Sequence, residues 1–218
     1  MRSPLYVFRI LKEKLWSKRR GKLNAQKRQD LKNKDFSLIS INCVGCCVLN
    51  DLGVRFNSPF VNLYLEAKDF LKYLSNPDYY NQQNIAFVDW DAYPIGFLDD
   101  VKVYFVHYKS EDEVVAAWTR RTQRINKEKL FVLFSDREGC TYEDLKFFDA
   151  LPYKNKIVFT HVPYPDIKSA FYIKGFENEN CVGNLIEWKP HEFGKRYYDD
   201  FDFVSWFNEK SNFTNNKG

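Results

Sequence analysis

Short apolar runs alternate with amphipathic stretches from residue 36 onward. The runs at 37–41, 85–88, 101–107, 130–134 and 156–160 are rich in β-branched and aromatic residues and bounded by turn formers, which predicts strands. A weaker run covers 170–173. Between them apolar residues recur at helical spacing. Leu63, Ala67, Phe70, Leu71 and Leu74 share a face over 62–74, and Val114, Val115, Trp118 and Ile125 share one over 111–125, with Ser110 placed to cap it. A third helix is expected over 141–148, where Thr141 is followed three residues on by Asp144 in the pattern of a capping box. Repeated strand–helix alternation predicts an α/β fold of three layers, a largely parallel sheet with helices on both faces.

The first 35 residues have a different pattern. Ser3-Pro4 is a helix start, and Leu5, Phe8, Leu11 and Leu15 recur at helical spacing with Trp16 beside them. Beyond Gly21 only Leu23 and Leu31 interrupt the charges. This predicts an amphipathic helix over 4–20 and a second, weaker helical stretch to 33. The domain plan is a basic helical arm at 1–35, one α/β domain at 36–210 and a disordered polar tail at 211–218.

Charge changes the picture of the arm. Residues 1–34 carry a net excess of ten positive charges, and the remainder a net excess of six negative ones, behind an overall +4. Such asymmetry points to an anionic partner. A helix packed on the body and a helix lying on an anionic membrane surface through residues 1–34 both fit. Nucleic acid is disfavoured, because base stacking needs aromatics interleaved with the cations and here they stop halfway.

The 218 residues are 44% hydrophobic, enough for one well-covered core. Five cysteines are too few and too clustered for a disulfide scaffold and fit a reducing compartment. No run approaches the roughly 20 apolar residues that span a bilayer, and no secretory leader is visible. The expected location is cytoplasmic, peripheral on the inner face of the membrane.

Candidate chemistry begins where the first strand enters a cysteine turn, Ser40-Ile41-Asn42-Cys43-Val44-Gly45-Cys46-Cys47. A strand that turns sharply into a helix puts the turn residue at the carboxyl edge of the sheet, where ligands of open α/β folds bind. Cys43 is therefore a candidate nucleophile, with Asn42 and Gly45 as oxyanion partners. A small buried cysteine is the main alternative; metal binding or a redox role through Cys43-x-x-Cys46 ranks below both, because no second Cys or His pair follows at a suitable distance. His107 and His161 follow strands and are candidate bases, with His107 preferred. His191 lies in a late loop.

Three further sets stand out. Asp89 and Asp91 follow a strand in the D-x-D pattern that can hold a divalent metal against a nucleotide sugar, or simply form a polar turn. Arg120, Arg121 and Arg124 suit phosphate or carboxylate, or a solvated helix face. Asp136 and Arg137, after another strand, suit an orienting or substrate role, or pair with each other.

The stretch from Ile41-Asn42-Cys43-Val44-Gly45 to Asn57-Ser58-Pro59-Phe60, then His107-Tyr108, Trp118 with Arg120-Arg121, Ser135-Asp136-Arg137, Lys168-Ser169-Ala170 and Tyr197-Tyr198-Asp199, resembles the bacterial domain of unknown function 1919. The resemblance runs from about 36 to 208. Members of that family are often named exopolysaccharide or capsule biosynthesis proteins. Its Asn-Cys turn is similar to that of a capsule acetyltransferase-like family related to the SGNH hydrolases, in which a Cys–His pair is the proposed catalytic unit and coenzyme A a proposed ligand. The resemblance implies an SGNH- or flavodoxin-like sheet and a nucleophile at Cys43. Cys46 stands where that pattern has a second glycine.

The expected function is acyl (acetyl) transfer to a sugar hydroxyl in surface-polysaccharide assembly. The expected substrates are acetyl-coenzyme A and a sugar or lipid-linked sugar, with no tightly bound cofactor. The alternatives are a metal-dependent glycosyltransferase using Asp89 and Asp91, and a non-catalytic scaffold docked to the membrane.

Overall fold

The computed structural model describes residues 4–209, so the tail expected at 211–218 lies outside the described residues. The protein is an α/β fold with one four-stranded parallel sheet and one small antiparallel sheet. The parallel sheet has the order β1 (Ser37–Ser40), β5 (Leu130–Ser135), β6 (Asn155–Thr160), β7 (Ala170–Tyr172). The second sheet is a meander of β2 (Ile85–Val88), β3 (Ile95–Leu98) and β4 (Val101–Tyr104). Seven α-helices are described: α1 (Pro4–Asp30), α2 (Val44–Leu52), α3 (Ala67–Ser75), α4 (Pro77–Tyr80), α5 (Glu111–Thr122), α6 (Tyr142–Ala150) and α7 (Phe203–Phe207).

The parallel strands are apolar at successive positions because both faces are buried. One face presents Ile39, Val132, Phe134 and Val158 to a core completed by Phe70 of α3, Trp118 of α5 and Phe148 of α6. The other presents Leu38, Phe131, Leu133, Ile157 and Phe159 to Val48 and Leu52 of α2 and to Phe203, Trp206 and Phe207 of α7. Ser110 caps α5 and Thr141 caps α6 in a full capping box with Asp144, as their spacing predicts.

The two sheets are joined by chain that is not itself a regular strand. The Leu65 N–H donates to the Ile41 carbonyl at 3.1 Å, and Tyr64 and Tyr104 exchange a pair of backbone hydrogen bonds at 3.0 Å. Ser58 Oγ donates to the Leu38 carbonyl, so residues 58–65 run in the same direction as β1. This pairing overrides the helix expected from residue 62. Asn62 takes a left-handed φ of 62°, and α3 starts only at Ala67. The chain thus leaves β1 on one side and returns to β5 on the other.

Strand direction corrects the expectation that 85–88 and 101–107 belong to the parallel sheet. β4 is antiparallel to the 58–65 segment and β2 runs with β4, so both end pointing away from the carboxyl edge of β1. β3 was not expected, because Pro94 and Gly96 interrupt its pattern. Gly96 is required there: a Cβ would sit 2.5 Å from Ile85 Cγ2. The Asp99-Asp100 turn between β3 and β4, with Asp99 at φ 56°, is the readable signal of that hairpin.

The N-terminal arm is also corrected. α1 is one continuous helix, and its second half is part of the body. Trp16 packs edge-on against Trp188 and Phe193, and Trp188 Nε1 donates to Glu13. Arg20 is buried and bonds Asp51, Tyr198 and Asp199, while Lys27 pairs with Asp199 and Asn24 donates to Asp51. Gly21 does not break the helix, since it is exposed and its missing Cβ leaves nothing uncontacted. Burial opposes ionisation of Asp199, but Lys27 and Arg20 outweigh it and hold the carboxyl below its ordinary range.

Asp199→Ala should cost about 3 kcal/mol, because it leaves the Arg20 guanidinium short of a buried counter-charge. Chemical denaturation at neutral pH measures it. The Asp199 contribution should be full above the ordinary carboxylate range and fall away as pH drops through its lowered value. Removing residues 1–12 should leave the midpoint nearly unchanged, and removing residues 1–31 should abolish cooperative unfolding. Equal midpoints for the two truncations would contradict the docking of α1.

Candidate functional site

The carboxyl edge of the parallel sheet gathers five of the expected site residues, Asn42, Cys43, Asp136, Arg137 and His161. Parallel register puts Ser40 beside Leu133 and Ser135 beside Phe159. The residues that follow, Asn42-Cys43, Asp136-Arg137 and Thr160-His161, therefore leave the sheet side by side. The crevice between β1 and β5 is also where the chain departs in opposite directions, and such a switch point is the usual ligand site of open α/β sheets.

Cys43 is the N-cap of α2 and is half-buried. A cavity of about 220 Å³ opens beside it, lined by Asn42, Cys43, Tyr64, Arg137, Glu138 and the stretch 183–186. Its sulfur lies 3.8 Å from the Leu63 carbonyl oxygen, the acceptor for its S–H. Hydrogen bonding from Cys46 holds the Cys43 thiol below its ordinary value, against burial and the negative groups nearby. The same bond pushes Cys46 up, and Cys47 is raised further by its bond to Cys46 and by burial. The Cys46 Sγ donates to the Cys43 carbonyl oxygen at 3.0 Å, and Cys43 is the thiol that lines the cavity.

The amides expected as oxyanion donors have other partners. The Val44 N–H donates to Asn42 Oδ1 at 3.1 Å, and the Gly45 N–H to Ser40 Oγ at 3.3 Å. Asn42 is a local cap, and Gly45 is there for packing: a Cβ would lie 2.4 Å from Ser40 Cβ. Arg137 is the donor that lines the cavity. Its Nη1 donates to the Gly183 carbonyl at 2.8 Å, and its Nε stands 3.6 Å from Glu138 Oε1.

Asp136 does not pair with Arg137. It is buried and accepts three N–H groups: His161 N at 2.8 Å, His161 Nδ1 at 2.5 Å and Val182 N at 2.7 Å. With Nδ1 donating to the carboxylate, His161 Nε2 is left as the acceptor. The edge of the imidazole meets the Tyr164 ring. His161 is the imidazole on the Cys43 edge, and the preference for His107 is corrected. His107 is exposed beyond β4, a strand whose end points the other way. Cys43 and His161 are not hydrogen-bonded. They sit on strands separated by β5, roughly 10 Å apart at the backbone.

The remaining expected residues lie elsewhere. Asp89 and Asp91 are exposed on the loop after β2, and no group of three or more metal-ligating side chains occurs among the described residues. Arg120, Arg121 and Arg124 are at the carboxyl end of α5, which leads to the amino edge of the sheet, where the Asn126 N–H bonds Ser37 Oγ. They do not face the Cys43 cavity. A larger cavity of about 550 Å³ lies between α1, α2 and the segment 198–208, and three of its five carboxylates, Asp51, Asp199 and Asp200, are already paired with Arg20, Lys27 and Lys189.

Sequence reasoning missed Tyr64, Glu138 and the 182–186 wall. None carries a motif; each arrives by tertiary pairing, Glu138 through its carbonyl to the Ala67 N–H and the wall through Asp136.

These features define an α/β protein with a thiol and an Asp–His pair on neighbouring strand ends. The chain belongs to the family described as domain of unknown function (DUF1919), whose model matches residues 15–208. A Haemophilus influenzae protein described as an uncharacterized protein is 47% identical over 202 residues, covering 92% of this chain and 98% of that protein. The match begins inside α1, in keeping with the docking of that helix.

Cys43 should be alkylated by iodoacetamide faster than Cys46 or Cys47 at neutral pH. Cys46→Ala should slow that reaction and move its midpoint to higher pH. Peptide mapping of a timed alkylation checks both, and equal rates for the three thiols would contradict the assignment.

Proposed function

We propose that this protein transfers an acyl group, acetyl, to a sugar hydroxyl during surface-polysaccharide assembly. The observation that carries the reading is the Asp136–His161 pair, standing on the same sheet edge as the acidified Cys43. In support, the 58–65 segment, counted as a strand, gives the order 2-1-3-4-5 of a flavodoxin-like sheet, with the crevice between β1 and β5 at its switch point. This is also the arrangement expected of an SGNH-like relative.

In a two-step transfer the imidazole need not touch the thiol during the first step. The Cys43 thiolate attacks the carbonyl of an acetyl thioester, coenzyme A leaves as its thiolate, and the acetyl group stays on sulfur. The position of Cys43 at the start of α2 favours its thiolate. The acceptor hydroxyl then gives its proton to His161 Nε2 and attacks the new thioester, and the Cys43 thiolate leaves. The coenzyme A thiolate or water takes the proton from His161. Asp136 fixes the imidazole and stabilises its charged form. Arg137 is assigned to the developing oxyanion, because the Val44 and Gly45 amides are engaged.

The reading places the protein on an anionic membrane surface with a lipid-linked acceptor. Leu11 and Leu15 are 54% and 59% exposed. With Lys18 and Lys22 they form the face of α1 opposite Trp16, Arg20 and Lys27. Among the described residues no helix is long and apolar enough to cross a membrane.

With acetyl-coenzyme A and lipid-linked or nucleotide sugars as substrates, Cys43→Ala and Cys43→Ser should abolish transfer. His161→Ala should lower its rate by about 10²–10⁴-fold, and Asp136→Asn should lower it with little change in KM. His107→Ala should match wild type. Full activity in the Cys43 variants would remove the covalent step, and full activity in His161→Ala would remove the base.

A further inference from the structure

Four arginines meet at the amino edge of the sheet, remote from Cys43. Arg120, Arg121 and Arg124 occupy the last turn of α5 and the residues just beyond it. Arg55 comes from another part of the chain, two residues past the Gly53 cap of α2. The Arg121 guanidinium stacks over the Phe56 ring at 5.9 Å, which brings the 55–56 segment against the end of α5. Arg121 Nη1 also donates to the Tyr108 hydroxyl at 2.6 Å, and that hydroxyl in turn donates to the Val61 carbonyl.

None of the four is ion-paired to a carboxylate among the described residues. Arg20, Lys27, Lys72, Lys127 and Lys189, by contrast, each have an acidic partner. The negative end of the α5 dipole accounts for a cation or two near residue 121. It does not account for Arg55, which belongs to no part of that helix. Mutual repulsion is felt within the group: loss of hydration and the charges of Arg55, Arg120 and Arg121 lower the Arg124 value. Holding unpaired like charges together is unfavourable unless an anion neutralises them.

We propose that Arg55, Arg120, Arg121 and Arg124 form a second anion site, separate from the Cys43 cavity, that takes a pyrophosphate group. Guanidinium forks match phosphate oxygens bidentately, and a group of four suits a multiply charged, two-phosphate anion better than a single phosphate. Arg121 is the pre-set member, held by Tyr108 and Phe56. Exposed Arg55 and Arg120 and half-buried Arg124 close around the ligand. The site lies roughly 15 Å from Cys43, about the length of β1 with its turn. It does not depend on acyl transfer.

Titration calorimetry of the full chain with inorganic pyrophosphate tests this. Saturable binding is expected, weaker for orthophosphate. The double variant Arg120→Glu/Arg124→Glu should weaken it at least about ten-fold. Arg55→Gln, at an exposed position that leaves the fold alone, should weaken it by a smaller factor. Cys43→Ala should leave the titration unchanged. A nucleoside diphosphate, and phosphatidylcholine vesicles carrying an isoprenyl pyrophosphate, separate a soluble source of the group from a lipid-borne one. The proposal fails if neither pyrophosphate nor these carriers bind, or if Arg55→Gln and the folded double variant bind as wild type does. Tighter binding of a single-stranded oligonucleotide than of pyrophosphate would also overturn it, in favour of a nucleic-acid surface.

Discussion

The hydrogen-bonded pairing of β1 with β5 governs the rest of the molecule. The chain leaves β1 through α2, runs parallel to it on its outer side as residues 58–65, builds the meander, and crosses by α5 to β5. Parallel strands need such a crossover, and diverging crossovers leave the top of the seam uncovered. That opening holds Cys43 on one lip and Arg137 on the other. The next strand end adds His161, locked by a carboxylate that also pins the 182–186 wall. The site is therefore a consequence of strand direction, and direction also removes His107 and the Asp89/Asp91 loop from it.

A second constraint is electrostatic. The charge asymmetry between the N-terminal segment and the body is partly internal complementarity. Arg20, Lys27 and Arg28 reach Asp51, Asp199 and backbone carbonyls at the end of α2. A buried guanidinium is tolerated only with its partners in place, so the ion network sets where α1 lies. The outward face is left with Leu11, Leu15, Lys18 and Lys22. One helix thus carries both the ion network that holds the fold and an outward face of exposed leucines and lysines.

The parts of the fold written in local pattern were legible. Strands β1, β5 and β6 are continuous apolar runs because two layers cover them, and α5 and α6 announce their caps at Ser110 and Thr141. What could not be read was tertiary. Residue 62 sits in helical periodicity, yet the chain stays extended to Glu66 because Tyr64 and Leu65 pair with Tyr104 and Ile41. The strand over 101–104 was visible, but its direction was not, and that misplaced His107. The position of Cys43 and Asp136 at the carboxyl edge was legible because each follows a strand directly. The bond by which Asp136 holds the imidazole depends on side-chain geometry that no spacing encodes.

The central claim is that the thiol at the β1 end carries the transferred group and the imidazole at the β6 end releases it. Intact-protein mass spectrometry after mixing with acetyl-coenzyme A and a sugar acceptor tests this most directly. His161→Ala should accumulate one acetyl group, mapped to Cys43, while the wild type discharges it to the acceptor. Absence of any acetyl adduct in His161→Ala, or an adduct that also forms in Cys43→Ala, would contradict the account.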